Sequence, residues 1–304
     1  MTECERFIAA GKLSPEFFEE EERCGFRVTT ERKKMWAIEL DMLILFDQIC
    51  RENGLVYFLT GGTLLGAIRH KGFIPWDDDI DVSMPRGDYE KFLSLGNAFH
   101  TPYFLQIPGE DNGYFFANAK VRNSRTTAVG VPFRYEKFNQ GMCIDVFALD
   151  NVDIPTGRER YEQIRRLLME NSTCMRRSNL HPTAEDVRRI AECGDVDPKA
   201  NLQKINELAC ENKLGDSHHM GNMICTVYPF EKHVWPKELF SGTLDWPFEG
   251  GHFKVPIGYD CYLRTQYGDY WQLPPDNERT TCHPNVLYDT DLSYQEYLSK
   301  MDIS

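Results

Sequence analysis

The sequence of 304 residues predicts an α+β fold, in which a mixed sheet is flanked by helices and carries a helical insertion. Apolar residues recur at helical spacing from Glu31 to Asn53, which is typical of an amphipathic helix. Short apolar runs that are typical of strands follow, up to about residue 147. A charged segment with helical periodicity then covers about residues 157–213. We expect residues 1–304 to form one domain, with residues 157–213 inserted in it.

The predicted elements run from a long helix to strands that bear acids. The helix ends at Asn53-Gly54, and Leu55–Thr60 is predicted to be a buried strand. Gly61-Gly62-Thr63 breaks this strand, and Leu64–Arg69 has room for one or two helical turns. The later expected elements are a strand at Asp79–Met84, a helix at Asp88–Leu95, strands at Tyr103–Gln106, Phe115–Val121 and Gly141–Phe147, and a return to the core over about residues 220–290.

The composition limits the function classes. The formal net charge of −13 argues against nucleic-acid binding, which needs a basic surface to displace counterions. No run approaches the roughly 20 apolar residues of a membrane-spanning helix, and residues 1–7 lack the pattern of a signal peptide. We therefore expect a cytoplasmic protein, and peripheral contact with the inner membrane surface stays open. The ten cysteines include no C-x-x-C pair, which favours reduced thiols over a zinc site.

Four aspartates within five residues, at positions 77, 78, 79 and 81, are the strongest chemical signal. Like charges so close repel one another, and a cation between them relieves the repulsion. In a strand, Asp79 and Asp81 would point to one site while Ile80 and Val82 face the core. Such a pair suits Mg²⁺, with Mn²⁺ as the alternative ion. A solvated acidic loop or a helix N-cap is the other interpretation, and the apolar flanks favour the metal.

A third acid, Asp145, lies in the apolar run Cys143–Phe147. Burying one carboxylate without a partner is costly. It is either the partner of an arginine or lysine, or a third metal ligand beside Asp79 and Asp81. In the second case it could also be the base that activates an attacking hydroxyl.

Glycines and cations near these acids suit a phosphate ligand. Gly61 and Gly62, followed by Thr63, would let backbone N–H groups approach phosphate oxygens at a helix N-terminus. A simple tight turn is the alternative. The basic residues and the histidine expected to contact the substrate are Arg69, Lys120, Arg122, Arg279 and His283. Lys120 and Arg122 would share one strand face, and ordinary surface charge is the alternative for each cation.

The run Gly61–Val82 closely resembles the signature of the LicD/fukutin family. Shorter matches follow at Lys120–Arg122, Ile144–Phe147, Phe248–Gly250 and Tyr267–Pro275, so the resemblance covers about residues 30–290 apart from the insertion. It implies a nucleotidyltransferase-like fold, with a glycine turn before an Asp-x-Asp strand and a third acid on a neighbouring strand. Asp79, Asp81 and Asp145 match these acids.

The resemblance also implies a reaction. Members of the family are Mg²⁺-dependent phosphotransferases that move a phospho-alcohol group, such as phosphocholine, from a CDP-activated donor to a glycan and release CMP. Bacterial members use teichoic acid or lipopolysaccharide sugars, so we expect a CDP-alcohol donor and a surface or capsular glycan or glycolipid acceptor.

Two alternatives to this reaction remain. One is a true nucleotidyltransferase that uses an NTP and releases pyrophosphate. The other is a binding protein with a degenerate site, which the three intact acids disfavour. The sequence does not separate choline from ribitol, glycerol or ethanolamine, although Trp246, Tyr270 and Trp271 could form a cation–π cage.

Overall fold

The computed structural model describes residues 2–9, 13–211, 217–281 and 283–301. Within these ranges the chain is an α+β structure with nine α-helices and a mixed seven-stranded sheet. The helices are α1 (Glu3–Ala9), α2 (Thr30–Glu52), α3 (Gly61–His70), α4 (Arg86–Leu93), α5 (Ile154–Met175), α6 (Ala184–Cys193), α7 (Pro198–Cys210), α8 (Tyr259–Tyr267) and α9 (Tyr294–Met301). The strands are β1 (Glu21–Arg23), β2 (Phe26–Val28), β3 (Phe58–Leu59), β4 (Asp81–Pro85), β5 (Tyr103–Gln106), β6 (Ala119–Asn123), β7 (Thr127–Gly130), β8 (Met142–Val152), β9 (His219–Gly221), β10 (Val234–Pro236), β11 (Thr243–Phe248), β12 (Gly251–Pro256) and β13 (Val286–Asp289).

Strand β8 is the centre of the seven-stranded sheet. It is 11 residues long and pairs in parallel with β4 and antiparallel with β6 and β9. The sheet order is β10-β9-β8-β4-β3, while β6 joins the first half of β8 and β5 pairs with β6. The parallel pairing aligns Asp81, the first residue of β4, with Asp145 of β8. The topology thus brings together two acids that are 64 positions apart in the chain.

Helix α2 packs against β6 and β8 and supplies much of the core. The Thr29 side chain accepts a hydrogen bond from the backbone N–H of Arg32 and caps the helix N-terminus. Its apolar residues at steps of three and four are buried, as the periodicity predicts: Trp36, Leu40, Leu43 and Phe46. Burying each of these large side chains contributes about 1.5–3 kcal/mol. Trp36 also stacks on Phe73, with 4.7 Å between ring centroids, and so fixes the segment before the aspartates.

Several predicted boundaries are wrong because pairing, and not composition, decides where a strand starts and ends. The strand predicted at Leu55–Thr60 is reduced to Phe58–Leu59, the two residues that pair with β4. Strand β4 begins at Asp81 and not at Asp79, and β6 covers Ala119–Asn123 and not Phe115–Val121. Helix α3 begins at Gly61, so the predicted glycine turn is the first turn of this helix.

Helices α5, α6 and α7 occupy most of the charged segment, and α5 packs against the other two. The end of the predicted insertion, residues 212 and 213, lies outside the described residues, as does Cys282. That this segment is an insertion within one domain stays a prediction. The nine cysteines in the described ranges carry free thiols. In the same ranges, no helix combines the length and the apolar character needed to cross a membrane.

Candidate active site

A row of charged side chains crosses three strands of the sheet. Asp81 on β4 is aligned with Asp145 on β8, and Asp145 is aligned with Lys120 on β6. The Lys120 ammonium group and the Asn118 amide both donate hydrogen bonds to Asp145 Oδ1. Asp145 is therefore the partner of a lysine, as the first interpretation predicts, and it is also the strand neighbour of Asp81. Its role as a metal ligand stays a prediction.

The alternation predicted for the aspartate run is confirmed. Ile80 and Val82 are fully buried in the core, whereas Asp79 and Asp81 are half-buried on the opposite side. The backbone N–H of Asp81 donates to Thr63 Oγ1 at 2.8 Å, which ties the acid strand to the first turn of α3. Thr63, predicted as a substrate residue, thus holds β4 in place through its hydroxyl.

The first turn of α3 packs directly against the acids. A Cβ on Gly61 would lie 3.0 Å from Asp81 Oδ2, and one on Gly62 would lie 2.6 Å from Asp77 Oδ2. Gly61 also has a φ of +56°, which only glycine adopts readily. The Gly61 N–H donates to the Tyr262 hydroxyl at 3.1 Å. The positive end of the helix dipole lies at this turn. It therefore stabilises the negative charge of the carboxylates and of a phosphate group bound beside them.

The two upstream aspartates have separate surroundings. The backbone carbonyl of Asp77 accepts hydrogen bonds from Arg32 Nη1 at 2.7 Å and from Trp36 Nε1 at 3.0 Å, which anchors the run to α2. The Asp78 carboxylate accepts a hydrogen bond from the Thr281 hydroxyl and lies 3.1 Å from His283 Nδ1. The sequence alone did not pair Asp78 with His283, because the two are joined only by the tertiary fold.

Burial and mutual repulsion shift the pKa of these acids. Burial raises the pKa of Asp79 well above its usual range, and the charges of Asp77 and Asp81 add to the effect. Burial, with Asp145 next, raises the pKa of Asp81 to about 7. Burial also acts to raise the pKa of Asp78, but the hydrogen bonds with His283 and Thr281 outweigh it and hold that pKa low.

The clustered aspartate carboxylates suit a divalent cation that prefers oxygen ligands. Within the described ranges, the group of three metal-binding side chains whose ligand atoms all lie within 4.8 Å of one another is Asp78, Asp79 and His283. The predicted set of Asp79, Asp81 and Asp145 is arranged differently, with Asp81 and Asp145 side by side on β4 and β8. Carboxylates that raise one another's pKa are stabilised by a cation between them.

Two cavities meet at the acids. The larger has a volume of about 670 Å³ and is lined by the start of α3, by the inner face of α8 and by Asp77, Asp79 and Asp81. The smaller has a volume of about 270 Å³ and is lined by Asp145, Lys120 and several aromatic rings. Asp79 and His283 line both cavities. A reacting group at these two residues would therefore be accessible from two sides.

The smaller cavity has a buried carboxylate at its wall. Glu39 of α2 is buried, and its Oε2 has no hydrogen-bond partner among the described residues. Burial, followed by the charge of Asp78, raises the pKa of Glu39 well above its usual range. Sequence reasoning missed Glu39 because its position on α2 fits a polar face as well as a buried one.

The predicted substrate-binding arginines differ in their surroundings. Arg69 lines the larger cavity and donates to the backbone carbonyl of Tyr270 at 2.8 Å. Arg122 lines the smaller cavity and shares its strand face with Lys120, but its guanidinium is bound to Gln106 Oε1 at 2.6 Å. Arg279 contacts backbone carbonyls of residues 24 and 274 and lies over the ring of Trp76, so its contacts are those of a loop anchor.

Comparison with known proteins identifies the family. The sequence pattern described as "LicD/FKTN/FKRP, nucleotidyltransferase domain" matches residues 54–185, which include the glycine turn, the aspartate run and Asp145. The Lipopolysaccharide cholinephosphotransferase LicD of Haemophilus influenzae is 30% identical over 254 residues, which is 82% of this chain and 94% of that protein. The chain belongs to the LicD family.

More distant similarities are confined to parts of the chain. Mannosyltransferase regulator 4 of Saccharomyces cerevisiae is 26% identical over 119 residues, which is 38% of this chain and 10% of the yeast protein. An uncharacterized protein of Rickettsia typhi is 44% identical over 74 residues, which is 24% of this chain and 21% of that protein. The resemblance seen in the sequence is thus confirmed, and the LicD-family chain is an enzyme of the phosphotransferase class.

The aromatic residues predicted to form a cage in this LicD-family protein lie in two places. Trp246 donates to the Ala67 carbonyl at 3.0 Å and packs on Tyr259, while Tyr270 and Trp271 contact each other. Of these three, Tyr270 lines the larger cavity, together with other side chains from beyond the matched range, namely Tyr228, Trp235, Tyr262, Gln266 and Tyr267. The spacing of Tyr262 and Gln266, four apart on a helix, was the available signal for them.

Proposed function

We propose that this LicD-family enzyme transfers phosphocholine from CDP-choline to a hydroxyl group of lipopolysaccharide or a related surface glycan and releases CMP. The observation that carries the proposal is the larger cavity, where the first turn of α3 meets Asp77, Asp79 and Asp81. The Haemophilus influenzae relative, named a lipopolysaccharide cholinephosphotransferase, is similar over nearly its whole length and supports phosphocholine as the transferred group and lipopolysaccharide as the acceptor.

We also propose that the fold is nucleotidyltransferase-like. Supporting features are the glycine-led helix α3 between β3 and β4, and the acids aligned on β4 and β8. The name of the matched domain supports the same assignment.

Mg²⁺, or Mn²⁺ in its place, is the proposed cofactor, with Asp79, Asp81 and Asp145 as its ligands. The cluster fits such an ion because, after burial, the charge of Asp81 contributes to the raised pKa of Asp79 and the charge of Asp145 to that of Asp81. Bound there, the ion would neutralise charge on the donor diphosphate.

The protein's own groups supply the rest of the chemistry in this proposal. Backbone N–H groups at the start of α3 bind the diphosphate, and Lys120 neutralises charge on the transferred phosphoryl group. Asp145 accepts the proton of the attacking glycan hydroxyl, which then forms the new O–P bond as the O–P bond to CMP breaks. Catalysis of this kind depends mostly on positioning and charge stabilisation.

A donor panel tests the proposal. Purified enzyme is incubated with Mg²⁺, lipopolysaccharide and one of CDP-choline, CDP-ethanolamine, CDP-ribitol or CDP-glycerol, and the glycan is analysed by mass spectrometry. We expect a mass gain of one phosphocholine with CDP-choline and smaller yields with the others. A gain with CDP-ribitol or CDP-glycerol alone would reject choline, and no gain with any donor would reject the transfer to lipopolysaccharide.

A further inference from the structure

Two buried polar groups at the wall of the larger cavity lack hydrogen-bond partners in the part of the chain that the structure describes. Trp235 is 1% exposed and Gln266 is 5% exposed, and both side chains line this cavity. Neither Trp235 Nε1 nor Gln266 Oε1 has a hydrogen-bond partner among the described residues. Buried donors and acceptors are nearly always satisfied, so an unpaired N–H and an unpaired C=O in one cavity point to a ligand that completes them.

The positions of these groups fit one end of a nucleotide. Trp235 stacks on Tyr262, with 4.3 Å between ring centroids and 15° between planes. Tyr262 in turn accepts the hydrogen bond from the Gly61 N–H at the proposed diphosphate site. Gln266 lies one helical turn further along α8, about 6 Å from Tyr262 along the helix axis. A ligand with phosphates at Gly61 therefore extends along α8 towards Trp235 and Gln266.

The chemistry of the pair fits a flat ring that carries one carbonyl and one amine. Cytosine offers its O2 carbonyl to an N–H donor and its N4 amine to a carbonyl acceptor. The rings of Tyr228 and Tyr267 line the same cavity and provide apolar surface for such a ring.

We propose that Trp235 and Gln266 form a nucleobase site that selects cytosine, with Trp235 Nε1 donating to O2 and Gln266 Oε1 accepting from N4. This inference rests on the proposed function, because it assumes a nucleotide-activated donor. The reversed amide orientation of Gln266 would present its N–H₂ group to a carbonyl and would select uracil instead. Relative affinity for the two bases therefore tests the assignment.

Calorimetric titration of the full-length enzyme with CMP and with UMP, in the presence of Mg²⁺, tests the site without an acceptor. We expect the unmodified enzyme to bind CMP more tightly than UMP. Gln266→Met should weaken CMP binding about tenfold and bring the CMP and UMP affinities close together. Trp235→Phe should weaken both nucleotides to a similar extent, because both bases carry the O2 carbonyl. Gln203→Met, an exposed change on α7, should leave both affinities unchanged.

Three results would overturn the site. They are equal or tighter binding of UMP by the unmodified enzyme, unchanged CMP affinity in a folded Gln266→Met variant, and unchanged nucleotide affinity in Trp235→Phe. The outcome is separable from that of the proposed function. If the enzyme prefers CMP but transfers no phosphocholine, the proposed function is rejected and the nucleobase site is retained. If it transfers phosphocholine but does not distinguish CMP from UMP, the nucleobase site is rejected and the proposed function is retained.

Discussion

The acidic side chains at the two cavities lie close together although their negative charges repel one another. Asp79 has its pKa raised mainly by burial, then by Asp77 and Asp81, and Asp81 by burial and then Asp145. A folded protein tolerates such a cluster when a bound ligand offsets the repulsion between the carboxylates. Acids with shifted pKa values are common at functional sites. Fold stability alone therefore does not explain why these acids lie together.

Replacing Asp81 by asparagine separates catalysis from stability. We expect Asp81→Asn to lower the transfer rate by at least about a hundredfold, because one charge at the reacting phosphoryl group is lost. Without metal, the variant should melt at the same temperature or higher, since a repulsive charge is removed. Mg²⁺ should raise the melting temperature of the unmodified enzyme more than that of the variant.

The control for this substitution is Asp276→Asn, at a side chain that is 91% exposed. Asp276→Asn should change neither the transfer rate nor the rise in melting temperature that Mg²⁺ causes. Full activity of Asp81→Asn with Mg²⁺ would contradict the assignment of this acid.

His233 should make the fold sensitive to acid. This side chain is buried, and burial lowers its pKa from 6.5 to about 4. The unfolded chain therefore binds a proton that the folded chain does not between these two values. The free energy of unfolding should fall as the pH drops from 6.5 towards 4, by at most about 1.4 kcal/mol per pH unit from this group.

Urea unfolding of the unmodified protein and of His233→Gln at pH 7 and pH 4.5 measures this contribution. Glutamine can still accept the hydrogen bond that His233 Nε2 receives from the Tyr228 N–H. The variant should lose less stability on acidification than the unmodified protein. An equal loss in both would mean that His233 does not titrate in this range.

At the scale of elements, the first turn of α3 depends on the absence of a side chain. A Cβ at residue 62 would meet Asp77 Oδ2 at 2.6 Å, so Gly62→Ala must displace that carboxylate. We expect a substantial loss of kcat/KM for the nucleotide donor. Gly87 is the matched control, since it is also the second residue of a helix and a Cβ there would meet nothing within 4 Å. Gly87→Ala should keep full activity, and equal losses in both variants would contradict the account.

A buried ion pair joins α4 to β8. Arg86 binds Asp150 through two hydrogen bonds of 2.6 and 2.8 Å, and the Asp150 side chain is 2% exposed. Arg86→Met leaves this carboxylate buried without its partner and should lower the free energy of unfolding by about 3–5 kcal/mol. Arg27→Met removes a pair that is mostly exposed and should cost less than about 1 kcal/mol.

Urea denaturation of both variants measures the difference. Adding Asp150→Leu to Arg86→Met should restore part of the loss, because the unpaired charge is removed. No difference between the buried and the exposed pair would mean that the Arg86 contact does not form in solution.

Some elements were predictable from the sequence because their signals are local. The spacing of Trp36, Leu40 and Leu43 predicts α2, and the alternation around Asp79 and Ile80 predicts which side chains face the core. The start of β4 at Asp81 was not predictable, because it depends on pairing with β3 and β8.

Across the whole molecule, long-range contacts give the predicted site residues different surroundings. Lys120 lies beside Asp145 because β6 and β8 pair in that register. Arg122 is bound by Gln106, and Arg279 contacts the carbonyl of Cys24, 255 positions away. Nothing in the local sequence around either arginine indicates these partners. Sequence spacing could therefore identify the two arginines as candidates, but it could not predict which groups they contact.

The identity of the released nucleotide distinguishes phosphocholine transfer from nucleotidyl transfer. The enzyme is incubated with CDP-choline, Mg²⁺ and lipopolysaccharide. The products are separated by ion exchange and identified by mass spectrometry. We expect CMP to be released in step with phosphocholine incorporation into the glycan, and Asp81→Asn to release almost none. In a parallel reaction CTP replaces CDP-choline. Release of pyrophosphate from CTP, with no CMP from CDP-choline, would contradict the proposed reaction.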